Sequence, residues 1–230
     1  MNTNRKIQRI TTRIKRNHER IDKLRRERLH LPFVQFVALM PYMTEGTIKA
    51  LIFLPCPRTF GKREVPQSLQ MVTFGTLTEL QQAAKDNDYL KTCCRLVSVL
   101  TGVKPEIVAS RRASDVLGIC NMVQTEMERI GKLFQSLQTD KTSDEQAAGI
   151  DKLDFGTFGI VDWYAKRMGI IDHEEVFKTP WARIFQCMKI DHEQGEFEKR
   201  YRKIIENRAN ERDEQDNRTH SSRDGLCLHL

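Results

Sequence analysis

The chain has no glycine-rich phosphate loop, no paired-cysteine metal motif and no long apolar run, and each absence removes a class of function. Its glycines are scattered, and neither GxGxxG nor GxxxxGK occurs, which argues against the common nucleotide-phosphate cradles. No CxxC is present among the six cysteines, and Cys93 and Cys94 are adjacent, so neither a zinc knuckle nor a thioredoxin-like redox pair is expected. Cys93, Cys94 and Cys120 lie in apolar helical contexts and read as small buried hydrophobes, suited to a reducing compartment. The most hydrophobic stretch, Leu31–Pro41, is broken by Pro32 and Gln35 and falls well short of the roughly 20 apolar residues a membrane span needs. The basic start runs into more charge rather than an apolar segment, so no signal peptide is expected and the site of action is expected to be the cytoplasm.

Catalytic patterns are also missing. The six histidines show no i, i+4 pairing, and no Ser or Cys sits in a nucleophile elbow. Asp154-Phe155-Gly156 matches a kinase tripeptide by letter, but without the surrounding kinase motifs. His192 stands between Asp191 and Glu193 on a charged helix, where a solvated role suffices. Glu174 and Glu175 open a helix, where the dipole favours negative charge. No enzyme activity, cofactor or metal is expected.

Apolar residues make up 39% of the chain and charged residues 30%, which allows a real core but not one running end to end. The net charge of +7 is confined to one appendage. Residues 1–30 hold eleven Lys/Arg and three Asp/Glu, a balance of +8; the other 200 residues hold 27 bases and 28 acids, a balance of −1. Arg9, Arg13, Arg16, Arg20, Arg25 and Arg26 form the candidate electrostatic patch. On the same segment Ile7, Ile10, Ile14, Ile21 and Leu24 follow alternating three- and four-residue steps, with Asn17 in the missing slot. Residues 1–30 thus read as a coiled-coil or docking helix, as a basic helix on nucleic acid, or as an extension, with Met40 and Met43 as alternative starts. No helix-turn-helix, RNP or zinc-finger signature accompanies the basic residues.

The remaining pattern predicts a mainly α protein of short and medium helices. Phe33–Leu39 and Ile48–Leu54 are apolar runs that could pair as a small β-hairpin within 33–54, followed by a linker to residue 72. A helical subdomain is expected over 73–137. Thr76 caps its first helix, Asn87 or Asp88 its second, Pro105 opens a short one, and Ser114 caps a long one with a clear apolar stripe. Residues 138–153 read as a polar, mobile loop, 154–212 as a second helical subdomain interrupted at Pro180, and 213–230 as a disordered tail.

Two stretches carry a family resemblance. Leu96 to Val103, with its Leu-Thr-Gly turn, Pro105-Glu106-Ile107-Val108, and Ala113-Ser114-Asp115-Val116-Leu117 together resemble phage tail assembly chaperones, as does the upstream Phe74 to Gln81. The segment from Asp154 through Trp163-Tyr164 to Trp181–Gln186 resembles the C-terminal half of phage tail-module proteins. The resemblance covers residues 60–205 and leaves the basic N-terminal helix outside it. It implies a non-catalytic helical protein that binds a long tape-measure protein and keeps its apolar helices from aggregating until the tail tube forms. A virion structural role is the alternative, and self-association is compatible with either. A holdase needs an apolar groove, and Met122, Met127, Phe134, Trp163, Met168, Trp181, Phe185 and Met188 are its candidate lining, although the same side chains could equally be core.

Overall fold

The computed structural model describes the backbone of residues 2–138, 143–153 and 155–224, and their side chains except at 2–10, 14, 18, 25, 26, 144, 145, 151 and 213–224. The fold is mainly α. Contacts divide it into two units, Met1–Ile184 and Phe185–Leu230.

Helix α1 (Asn2–Glu27) is anchored through the C-terminal half of its predicted stripe. Asn17, Ile21 and Leu24 are buried, as is Leu29 beyond the helix end. Arg20 donates to the Gly46 carbonyl oxygen at 3.1 Å, tying α1 to the next layer. Thus Asn17, Ile21, Leu24 and Leu29 belong to the core of the first unit, which ties this half of the segment to the fold.

The region expected to form a hairpin is helical instead. Phe33–Leu39 forms α2, Glu45–Ala50 forms α3, and single 3-10 turns follow at Met40–Tyr42 and Leu51–Phe53. The reason is visible in burial: Phe33 and Phe36 point inward three residues apart, which is a helical rather than a strand period. The hairpin that does exist lies downstream, with β1 (Thr59–Phe60) antiparallel to β2 (Arg63–Glu64) around Gly61 at φ +66°. Nor is 55–72 a bare linker, because Phe60, Val65 and Leu69 are buried.

The centre of the first unit is built by α4 (Phe74–Ala83), α5 (Tyr89–Thr101), α6 (Pro105–Ala109) and α7 (Ala113–Gln135). Asp88 caps α5 by accepting from the Lys91 amide, and Gly102 closes it in the left-handed conformation. Two expected caps are displaced. Thr73, not Thr76, caps α4, with its hydroxyl accepting from the Thr76 amide at 3.1 Å. Helix α7 has no side-chain cap at its start. Its first amides are satisfied by tertiary partners: Ala113 N donates to Leu31 O and Ser114 N to Leu29 O. The Ser114 hydroxyl, no longer needed as a cap, donates to Asp115 Oδ1.

Long-range hydrogen bonds then staple the irregular segment 51–72 to this frame. Asn121 on α7 donates to Leu51 O at 2.7 Å and to Leu54 O at 3.4 Å. Glu126 accepts from the Leu69 amide while pairing with Arg129. Gly118 allows the chain at Pro55 to cross α7 so closely that a Cβ there would lie 2.1 Å from the Pro55 carbonyl oxygen.

Beyond α7 come α8 (Ser143–Ala147), α9 (Gly156–Met168), α10 (His173–Lys178) and α11 (Trp181–Asp224). The predicted loop at 138–153 thus contains a short helix, and its residues 139–142 lie outside the described residues. Asp154, one of two expected starts for α9, is also outside them. Helix α10 packs on α4, where Phe74 and Phe177 stack with ring centroids 6.1 Å apart. Pro180 separates α10 from α11, and the indole of Trp181 donates to Leu69 O at 2.7 Å. The division between units falls within α11, after Ile184, rather than at the 138–153 loop. Helix α11 continues to Asp224, through the stretch expected to be disordered from 213, and 225–230 lie outside the described residues.

Candidate functional site

Helices α5 and α7 face each other with matching stripes. Tyr89, Cys93 and Leu96 recur at i, i+4 and i+7 on α5, and Cys120, Val123 and Met127 at i, i+3 and i+7 on α7. Spacings of three and four residues place each set on one side of its helix. Between them lies a cavity of about 480 Å³, lined also by Ala84, Thr92, Asn121, Gln124 and Glu128. A volume of this size suits a bound apolar group, since ligand pockets run from roughly 300 to 1,000 Å³.

Three weakly acidic groups, Tyr89, Cys93 and Cys120, are among the lining. The Cys120 thiol lies 3.8 Å from the Cys93 carbonyl oxygen and can donate to it. Hydrogen bonding from Cys120, with a lesser contribution from Tyr89, lowers the Cys93 thiol below its usual range against the opposing effect of burial. The same Cys93–Cys120 hydrogen bond, reinforced by burial, raises Cys120 well above that range. Burial chiefly, and then the neighbouring thiols, raises the Tyr89 hydroxyl. Beside them the Cys94 thiol is pushed up to about 11, mainly by burial. Cys93 is thus the thiol of this cluster whose pKa is lowered, while those of Cys94 and Cys120 are raised. Among the described residues, no group of three or more His, Cys, Asp or Glu side chains could hold a metal ion.

Of the eight residues expected to line a groove, Met127 lines this cavity. Met122 is half-buried elsewhere on α7. Phe134 lies 6.2 Å from the Trp181 ring, and Trp181 itself is buried with Arg129 over its face at 6.0 Å. Trp163 packs beside Tyr164, has Arg167 over its ring, and is followed by the exposed Met168. Phe185 is buried and Met188 half-buried, both in the second unit. Within the first unit the expected lining residues therefore do not converge on one site. The cavity residues missing from the expected lining, above all Tyr89, Cys93, Leu96 and Cys120, do lie on apolar helical faces. What was hidden is which two faces leave a gap between them.

The basic patch is partly described. Arg13, Arg16 and Arg20 are exposed, as are Lys15 and Lys23, whereas the side chains of Arg9, Arg25 and Arg26 lie outside the described residues. Arg20, Lys23 and Arg28 also line a smaller cavity of about 210 Å³ with Thr44 and Thr47. No helix among the described residues is long and apolar enough to cross a membrane. Comparison with known protein families, curated proteins and solved structures finds no match to this chain.

Proposed function

We propose that the chain is a non-catalytic binding protein of the phage tail assembly chaperone type, acting in the cytoplasm on an apolar helical segment of a tape-measure-like client. The observation that carries this reading is the apolar α5–α7 cavity, walled by two helices and edged by Gln124 and Glu128. An amphipathic client helix would place its apolar side chains against Leu96, Val123 and Met127 and its polar side against that edge. The Met127 thioether adapts to clients of differing shape, as a repetitive substrate requires. The Leu-Thr-Gly turn at 100–102 and the Pro-Glu helix at 105–109, which carry the resemblance, close one end of α5 and so help hold this wall.

A second reading is supported by α1, which buries Asn17, Ile21 and Leu24 while exposing Arg13, Lys15, Arg16 and Lys23. That arrangement suits nucleic acid, with affinity falling steeply as salt rises. Deleting residues 1–30 would remove core side chains, so the two readings are separated by point substitutions. The test is capture of a long helical, tape-measure-like protein by the full chain at moderate and high salt, with the contact mapped by cross-linking. Met127→Lys, checked for retained helicity, abolishes capture in the chaperone reading, and replacing Arg13, Lys15, Arg16 and Lys23 with Gln leaves it intact. Capture that survives Met127→Lys but is lost with the four Gln substitutions or at high salt sinks that reading in favour of the second. A protein that instead remains in assembled particles at fixed stoichiometry is a virion component.

A further inference from the structure

The second unit offers a surface that the α5–α7 groove does not use. Among its described residues it is a single helix, the part of α11 from Phe185 onward. Along that helix Cys187, Ile190, Gln194, Phe197, Tyr201 and Ile204 alternate steps of three and four residues, the period of a coiled-coil seam with one polar position. Four of them are largely exposed: Ile190 at 42%, Phe197 at 60%, Tyr201 at 56% and Ile204 at 50%. Phe197 and Tyr201 already stack on one another, their ring planes 17° apart, so the centre of the ridge is an organised aromatic pair.

Charge along the helix separates into two blocks that meet at the middle of this ridge. Asp191, Glu193, Glu196 and Glu198 contain the acidic charge of residues 191–198, with no Lys or Arg among them; Lys199, Arg200, Arg202 and Lys203 follow with no Asp or Glu. The two blocks carry four opposite charges each. Ion pairs between Lys199 and Glu196 and between Arg202 and Glu198 brace the helix across the junction.

We infer that α11 pairs antiparallel with α11 of a second copy of this chain, with its centre at residue 199. In that register Phe197 of one copy meets the partner's Tyr201, twice by symmetry, which makes a four-ring core. Ile204 covers the partner's Gln194, and at the end of each acidic block Glu196 and Glu198 lie across from the partner's Arg202 and Arg200. A parallel in-register pair would instead set acid against acid and base against base along the same length, a repulsion that selects against it. The pairing is isologous and closes at two chains.

The test uses the full chain in sedimentation velocity across a concentration series, followed by thiol cross-linking. The expected result is a concentration-dependent species of twice the 26.8 kDa chain mass. The double substitution Phe197→Ala with Tyr201→Ala raises the dissociation constant roughly tenfold or more, while helicity at 222 nm is retained. Orientation is read from Cys187, which in the antiparallel register lies across from the partner's Glu211. With Cys56 and Cys227 replaced by Ser, copper-phenanthroline oxidation links chains through Cys187 and the introduced thiol of Glu211→Cys, and does not link chains that carry Glu211. A monomer at every concentration, an unchanged dimer in the double alanine variant, or efficient Cys187–Cys187 linkage in the Glu211 parent each overturns the inference.

Discussion

Two glycines thirteen residues apart on α7 should respond to the same substitution with opposite signs. In a helix interior Gly costs about 0.5–1 kcal/mol relative to Ala, because it has more backbone freedom to lose. Gly131→Ala meets only that effect: a Cβ there finds nothing within 4 Å, so the variant gains roughly 0.5–1 kcal/mol. At Gly118 the same gain is opposed by contact with backbone. A Cβ would stand 2.1 Å from Pro55 O and 3.0 Å from its carbonyl carbon, with Pro57 Cδ at 3.3 Å. None of these is the movable end of a flexible side chain. The segment beside them is held to α7 by the Asn121 bonds to Leu51 O and Leu54 O, so relief requires shifting a pinned chain. Overpacking of this kind costs about 1–3 kcal/mol, or more where backbone must move, and it outweighs the propensity gain. The net expectation for Gly118→Ala is a loss of about 1–3 kcal/mol, or several degrees in melting temperature at roughly 2–4 °C per kcal/mol for a chain of this size. Urea and thermal unfolding followed by circular dichroism, with both variants measured side by side, decide it. Gly118→Ala as stable as Gly131→Ala would refute the close crossing of Pro55 over α7.

Trp181→Phe removes the indole donor from Leu69 O and leaves that carbonyl only the Val72 amide at 3.3 Å, so it should cost about 0.5–1.5 kcal/mol in urea unfolding, against near neutrality if the bond were dispensable. Glu126 gives a pH signature. Arg129 first, and then the Leu69 amide, hold its carboxyl below the ordinary range, so its contribution is present above the unfolded value of about 4.3 and is lost as pH falls through the depressed folded value. Glu126→Gln should therefore be less stable than the wild type at pH 7, and the difference should narrow as pH falls below the unfolded value of about 4.3. A gap that stays constant from pH 7 to pH 3 would show that the carboxylate's charge contributes nothing.

Much of the helical frame is written locally. Asp88 and Gly102 mark the ends of α5, Pro105 opens α6, and Gly169 stops α9, because caps and left-handed turns depend on a few neighbouring atoms. The apolar stripe of α7 is likewise plain, since burial at Val116, Ile119, Val123 and Ile130 repeats with the helix itself. Local reading failed where distant chain supplied what local chemistry did not. Ser114 looked like a cap, but the carbonyls of Leu29 and Leu31 take that role for α7. Phe33–Leu39 looked like a strand until Phe33 and Phe36 were both buried on one side of a helical turn.

The candidate site divides along the same line. Composition and spacing alone determined that the chain is mainly helical, that its basic charge is confined to residues 1–30, and that Cys93, Val123 and Met127 lie on apolar helical faces. Which faces meet was decided by tertiary structure. A helical stripe specifies that it must be covered, not by what, because burial is non-directional and any apolar surface of suitable shape satisfies it. Hence Trp181, which looked as suited to a groove as any residue in the chain, was drawn into the core beside the half-buried Phe134, while α5 and α7 kept a gap between Tyr89, Cys93 and Met127.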